Sequence, residues 1–154
     1  MFSNELVCNI LDYIQRNLYE EIKIDDIVRV MYFNRTYIMK KFKREIGYSI
    51  VNYINIMKIY NSLKYLKYDK NILEVALKNG FNSQEYYSEI FKSVIGVPPI
   101  TYKKYITFTN KLSNNNIHTI NKNIINIESL ITYVQKYMNN RKPQVITKKL
   151  SLFS

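Results

Sequence analysis

The chain has 154 residues, of which 47% are hydrophobic, too many for a disordered chain and enough for one domain or two small ones with a real core. A single Cys excludes an internal disulfide and fits a reducing cytoplasm, and Cys8 and His118 alone cannot build a zinc or His/Cys catalytic cluster. The net charge is +11, with 16 basic against 11 acidic residues up to Ile106 and 7 against 1 beyond it, a balance that favours a polyanionic partner. The richness in Ile, Lys, Asn and Tyr, residues that AT-rich codons encode, is a second source of the lysines.

The first predicted helix runs from about Glu5 to Asn17, with Leu6, Ile10, Leu11 and Ile14 on one apolar stripe. Its acidic residues Glu5 and Asp12 and its amphipathic spacing separate it from a signal peptide. A second helix from about Asp25 to Tyr32 has Asp25 and Asp26 in its first turn, where the helix dipole favours them. Asn34 caps a third helix that ends at Gly47 and buries Ile38, Phe42 and Ile46. A fourth helix starts after Ser49 and runs to about Tyr68, roughly 27 Å. Asn71 caps a fifth, with Glu74 placed for a capping box and Val75, Ala76 and Leu77 packing inward. A sixth helix, from about Ser83 to Val94, turns Tyr87, Ile90 and Phe91 inward. Gly96-Val97-Pro98-Pro99 opens a short seventh.

The tail changes character. Thr107 to Asn126 is rich in Asn, Thr, Ser and Lys and reads as a linker, bounded as residues 106–126. Ile127, Leu130, Ile131, Val134, Tyr137 and Met138 then have the spacing of an amphipathic helix within a tail of residues 127–154. Val145-Ile146 and Leu150-Ser151-Leu152-Phe153 read as a short strand or a ragged end. No apolar run reaches the roughly 20 residues that span a bilayer.

One pattern organises the first 105 residues. Phe-Lys-x-x-Ile-Gly occurs at Phe42–Gly47 and again at Phe91–Gly96, an offset of 49 residues. The same offset pairs Tyr37 with Tyr86, Tyr53 with Tyr102 and the cap Asn34 with Ser83. One supersecondary unit is used twice: a short helix, a tight turn, a second helix with one apolar face, and a Gly stop. That is a helix-turn-helix reading, and two of them in a basic chain point at DNA.

Ala76-Leu77-Lys78-Asn79-Gly80-Phe81, Tyr86-Tyr87, Phe91-Lys92, Gly96-Val97-Pro98-Pro99 and Tyr102-Lys103 together resemble the AraC/XylS family of bacterial transcription regulators. Their second-motif signature typically reads I-A-x-x-x-G-F-x-x-x-S-Y-F-x-x-x-F-K-x-x-x-G-x-x-P-x-x-Y-R. The resemblance covers about Ile10 to Tyr105, two-thirds of the chain. Gly47-Tyr48-Ser49 to Tyr53-Ile54 is most like the short stand-alone multidrug and stress-response activators. The resemblance implies an all-α DNA-binding domain over residues 1–105. Its first helix-turn-helix would lie at about 25–46, its linker helix at about 50–68 and its second helix-turn-helix at about 72–94. It also implies a monomer on double-stranded DNA, reading adjacent major grooves roughly 34 Å apart. RNA polymerase is expected as a protein partner, and the cytoplasm, with the nucleoid, as the location. No cofactor, metal, membrane association or enzymatic activity is expected.

The expected DNA-binding residues of the first recognition helix are Arg35, Thr36, Met39, Lys40 and Lys43. Of these, Thr36, Met39, Lys40 and Lys43 share a face at i, i+3, i+4 and i+7. Arg and Lys read guanine edges and the Thr methyl contacts thymine; by resemblance Thr36, Met39 and Lys40 fall on base-reading positions. The bland alternative is a solvated charged face. The second helix offers Ser83, Gln84, Ser88, Glu89 and Lys92. Glu89 stands where the family often has Arg, and Glu85 where it has Ser or Gln. Carboxylates near phosphates repel, so three possibilities stay open: they point away, Glu accepts from cytosine, or this helix docks loosely.

Other departures are Tyr32 at the family's turn Gly, Lys58 at a usual Arg, Ser62 at a usual Ala, and Lys23 at the cap of the second helix. They suggest a less stable first motif, or a drifted homologue that acts as an interaction module on RNA polymerase or another regulator without specific DNA binding. The roughly 48 residues beyond Ile106 are too few for an effector domain of about 100 residues. The tail is open to three readings: the start of a lost sensor domain, a docking helix or a partner-binding segment. Without a sensor, the amount of protein made would set the control.

Overall fold

The computed structural model describes residues 2–68, 71–107 and 114–140, and among these there are eight α-helices and no strand. In chain order they are α1 (Phe2–Arg16), α2 (Ile24–Met31), α3 (Arg35–Ile46), α4 (Ile50–Leu66), α5 (Ile72–Lys78), α6 (Gln84–Ile95), α7 (Pro99–Thr107) and α8 (Asn114–Asn139). They divide into two compact units. The first holds α1, α2, α3 and the part of α8 from Glu128 on; the second holds residues 17–22, α4 from Val51, α5, α6, α7 and α8 through Ile127.

In the first unit the α1 stripe of Leu6, Val7, Ile10, Leu11 and Ile14 is buried together with Ile27 of α2. Ile38, Phe42 and Ile46 of α3 complete this core, as the spacing required, and Leu130 and Val134 of α8 are buried in the same unit. Each such side chain contributes about 1.5–3 kcal/mol when fully buried, enough to set the rotation of the short helix α3. Cys8 is buried and unbonded, a small core residue.

The second unit is built on a run of rings. Phe81 and Tyr87 meet edge-on with centroids 5.1 Å apart, Tyr87 and Phe91 at 5.7 Å, and Phe91 and Tyr102 at 5.6 Å. Tilted and edge-on pairs of this kind match the ring quadrupoles and add to burial. Tyr53 and Tyr102, related by the 49-residue repeat, are both buried. Pro99 opens α7, where its missing N–H costs nothing.

The structure corrects three expectations. Leu77 is 52% exposed, because the single inward face of the seven-residue α5 is already filled by Ile72, Val75 and Ala76. Ile90 is half-buried and not fully inward. Residues 114–126, read as linker, form the first half of α8. Asn and Thr are mediocre helix formers, but Ile117, Ile120, Ile124 and Ile127 recur at helical spacing, and Ile120 and Ile127 are buried; packing overrides propensity. The readings for Val145-Ile146 and Leu150–Phe153 lie outside the described residues. No helix among the described residues is long and apolar enough to cross a membrane, and none of their His, Cys, Asp and Glu side chains group as metal ligands.

Candidate nucleic-acid interface

The repeat is expressed in the backbone. α3 and α6 each have 12 residues; each is capped at its start by a side chain and stopped by a left-handed Gly, Gly47 at φ 88 and Gly96 at φ 97. Asn34 Oδ1 accepts from the backbone N–H of Thr36 at 2.9 Å and of Tyr37 at 3.3 Å. Ser83 Oγ accepts from Tyr86 N–H at 3.1 Å. These bonds satisfy donors that would otherwise be orphaned in the first turn. They also commit Ser83, half-buried, to capping.

On α3 the residues opposite the buried Ile38, Phe42 and Ile46 are Thr36, Lys40, Lys43 and Arg44, all exposed. Met39, at 37% exposure, and Arg35 lie at the edge of this face. The Arg35 guanidinium donates to the Asp25 carboxylate at 2.5 Å, so it is held by an acidic neighbour from α2. Lys41 is not part of the face. It is 6% exposed and pairs with Glu45 at 3.3 Å, one helical turn on. Two outward residues stand outside the set of DNA-binding residues expected from the sequence. Arg44 continues the row Thr36, Lys40 at i+8, which was the signal available. Tyr37 is 46% exposed and stacks on Phe33 at 5.8 Å; only its repeat mate Tyr86 hinted at a shared role.

The same positions on α6, 49 residues on, carry different chemistry. Thr36, Lys40, Lys43 and Arg44 become Glu85, Glu89, Lys92 and Ser93, all exposed. Gln84 is exposed and Ser88 half-buried at the edge. Ser93 Oγ turns back to Ile90 O at 2.7 Å. The outward face of α3 therefore carries three cations, whereas that of α6 carries two carboxylates and one ammonium.

A family profile described as a helix-turn-helix domain matches residues 27–105, just over half of the chain. The uncharacterised HTH-type transcriptional regulator YbfP of Bacillus subtilis is 32% identical over 113 residues, 72% of this chain but 38% of YbfP. The transcriptional activator AarP of Providencia stuartii is 27% identical over 72% of this chain and 83% of its own length. Among solved structures, the C-terminal domain of the response regulator AraT from Geobacillus stearothermophilus superposes with a TM-score of 0.61 at 22% identity, covering 71% of this chain and 88% of that one. The chain belongs to the AraC-type helix-turn-helix regulators. Its family is one of DNA-binding transcription regulators and not of enzymes.

The departures from the AraC-type pattern now have physical content. Tyr32, at the turn Gly, ends α2 in the left-handed region at φ 58, the only non-Gly residue with positive φ among the described residues. Lys23 gives α2 no side-chain cap. Lys58, at the usual Arg, is 4% exposed and reaches Glu20 O at 2.5 Å, Gly80 O at 3.3 Å and Asn79 O at 3.4 Å. It thus ties residues 17–22 to the turn between α5 and α6. Burial lowers its pKa to about 8, against a smaller opposing pull from Glu20 and Glu21. Gly80, at φ +78, sits so close to Lys58 Nζ and Glu20 O that a Cβ would collide with both. Ser62, at the usual Ala, is fully buried, and its hydroxyl lies 2.9 Å from that of Tyr87, which stands at the signature's Phe. Two departures thus satisfy each other: each hydroxyl gives the other a partner inside the core.

Proposed function

We propose that this AraC-type regulator is a sequence-specific activator that binds double-stranded DNA in adjacent major grooves, with α3 and α6 as the two reading helices. The observation that carries the reading is the outward face of α3, where Lys40, Lys43 and Arg44 are exposed on a helix locked by its Asn34 cap and by Ile38, Phe42 and Ile46 beneath. Lys40 reads a base edge, Thr36 contacts a thymine methyl, and Lys43 and Arg44 hold phosphates. Arg35, held by Asp25, and Met39 contribute from the edge of that face.

The α6 contribution differs in kind. A carboxylate gains nothing from phosphate oxygens, and in a groove its partners are amine donors. Glu89 therefore accepts from a cytosine N4 amine, flanked by Gln84 and Ser88, while Lys92 supplies a phosphate contact and Ser83 stays with its cap. Because two reading heads sit in one chain, the binding unit is a monomer on an asymmetric site of about 20 base pairs, two turns of duplex. Recruitment of RNA polymerase follows from the activator reading, which the likeness to AarP supports. The alternative, an interaction module without DNA recognition, is not favoured beside the helix-turn-helix relatives.

The test is selection of duplexes from a random pool by the full chain, followed by gel shifts. Recovery of one asymmetric site, bound as a monomer and weakened by Lys40→Ala about 5- to 150-fold, the equivalent of about 1–3 kcal/mol per base-edge contact, supports the reading. A palindrome bound only by an obligate dimer contradicts it.

A further inference from the structure

Helix α8 lies wholly beyond the matched residues 27–105. Nonetheless each unit uses one half of it against the last turn of its candidate reading helix. A helix leaves its last four carbonyls without intrahelical partners. In the second unit Asn123 Nδ2 donates to Ile95 O, the last carbonyl of α6, at 2.8 Å. Thr119 and Asn123 also crowd Gly96 so closely that a Cβ there would meet them at 2.5 and 3.0 Å. Ile120 is buried beside them in the sequence, and Asn121 Oδ1 accepts from the Tyr105 hydroxyl of α7 at 3.3 Å. In the first unit the Tyr133 hydroxyl donates to Glu45 O, in the last turn of α3, at 2.7 Å. Tyr137 follows one turn later, donating to Asn4 Oδ1 of α1 at 3.4 Å, with Leu130 and Val134 buried alongside.

We propose that α8 is a working part of the DNA-binding module, in which Asn123 and Tyr133 are positioning residues that cap the C-terminal turns of α6 and α3. Those turns carry the groove-facing cations: Lys43 and Arg44 precede Glu45, and Lys92 lies three residues before Ile95. A frayed last turn lets these side chains swing away from the phosphates; a capped one holds them. This role replaces the readings of α8 as a linker with a docking helix or as the start of a sensor domain. It rests on α3 and α6 being the DNA-binding helices.

Two conservative variants of the full chain test it. Tyr133→Phe removes one hydroxyl and leaves the ring; Asn123→Ala removes one amide. At a temperature where circular dichroism shows wild type and both variants fully folded, amide exchange should quicken locally. The reporters are Gly47 N–H, bonded to Lys43 O, for Tyr133→Phe, and Gly96 N–H, bonded to Lys92 O, for Asn123→Ala. Affinity for the duplex that wild type selects from a random pool should fall about 3- to 10-fold, the equivalent of one net hydrogen bond. The Tyr133→Phe loss should vanish when Lys43 and Arg44 are already Ala, which a merely stabilising role would not produce. Faster exchange spread evenly over the chain, or a selected duplex bound equally by all three proteins, overturns the inference and leaves the proposed function standing. If wild type selects no duplex, the proposed function and this inference fall together.

Discussion

Tyr32→Gly should stabilise the first unit, an unusual outcome for removal of an aromatic side chain. Tyr32 sits at φ 58, ψ 29 and is 92% exposed, so little burial is lost with the ring. A non-Gly residue in the left-handed well carries about 1–2 kcal/mol of crowding between Cβ and the following carbonyl. Gly removes that term and adds about 0.4–1 kcal/mol of unfolded-chain freedom. The difference is a net gain of about 0.5–1 kcal/mol, and each kcal/mol moves the melting midpoint by roughly 2–4 °C at this chain length. The assay is a thermal and urea melt of wild type, Tyr32→Gly and Tyr32→Ala. Ala keeps the Cβ and discards the ring, so it should show no gain. A stabilisation by Ala equal to that by Gly would refute the backbone argument, as would any destabilisation by Gly.

Lys58 gives the second unit a pH dependence. Its pKa is about 8 folded and 10.5 in its ordinary state, so between these values the unfolded chain binds more protons and stability rises with pH, by at most about 1.4 kcal/mol per unit. Above pH 10 the sign reverses, because burial raises the Tyr53 and Tyr87 hydroxyls to about 12 and the unfolded chain then loses protons first. Urea melts from pH 7 to 10 should show the rise in wild type, and Lys58→Arg, which stays charged, should flatten it; an equal rise in both proteins would remove Lys58 as its cause. Ser62→Ala should cost about 1–3 kcal/mol by leaving the Tyr87 hydroxyl buried and unpaired, whereas Ser62→Ala with Tyr87→Phe should come close to wild type; additive losses in that cycle would show that the two hydroxyls do not act as a pair. Lys41→Met should alter stability by removing the partner that buried Lys41 gives to half-buried Glu45 while leaving the salt dependence of DNA binding as it is, and a changed slope would place Lys41 on the groove face.

Most of the fold was legible because the two motifs repeat. Residues at the same place in each copy, such as Phe42 and Phe91 or Gly47 and Gly96, vouch for one another. The apolar stripe of α3 also located its outward face. What was hidden depends on partners distant in sequence. Lys41 lies on the flank of the buried stripe, where spacing alone leaves its burial open, whereas Arg44 could have been read as outward from the row Thr36, Lys40, Arg44. Leu77 looked buried because its neighbours are. The first half of α8 was hidden by its Asn-rich composition, although the spacing of Ile117, Ile120, Ile124 and Ile127 was there to be read. The Ser62–Tyr87 pair spans 25 residues, and each member alone looks like drift.

The central claim is that exposed cations on α3 hold DNA phosphates while the acidic face of α6 holds few. It is tested most directly by a salt titration of affinity for the selected duplex, comparing wild type, Lys43→Ala and Glu89→Arg. Lys43→Ala should weaken binding and flatten the plot of log affinity against log salt by roughly 0.9, one phosphate contact's worth of released counterions. Glu89→Arg should tighten binding and steepen that plot, with poorer sequence discrimination if Glu89 accepts from a cytosine as proposed. Unchanged affinity and slope in both variants would show that neither helix faces the DNA backbone.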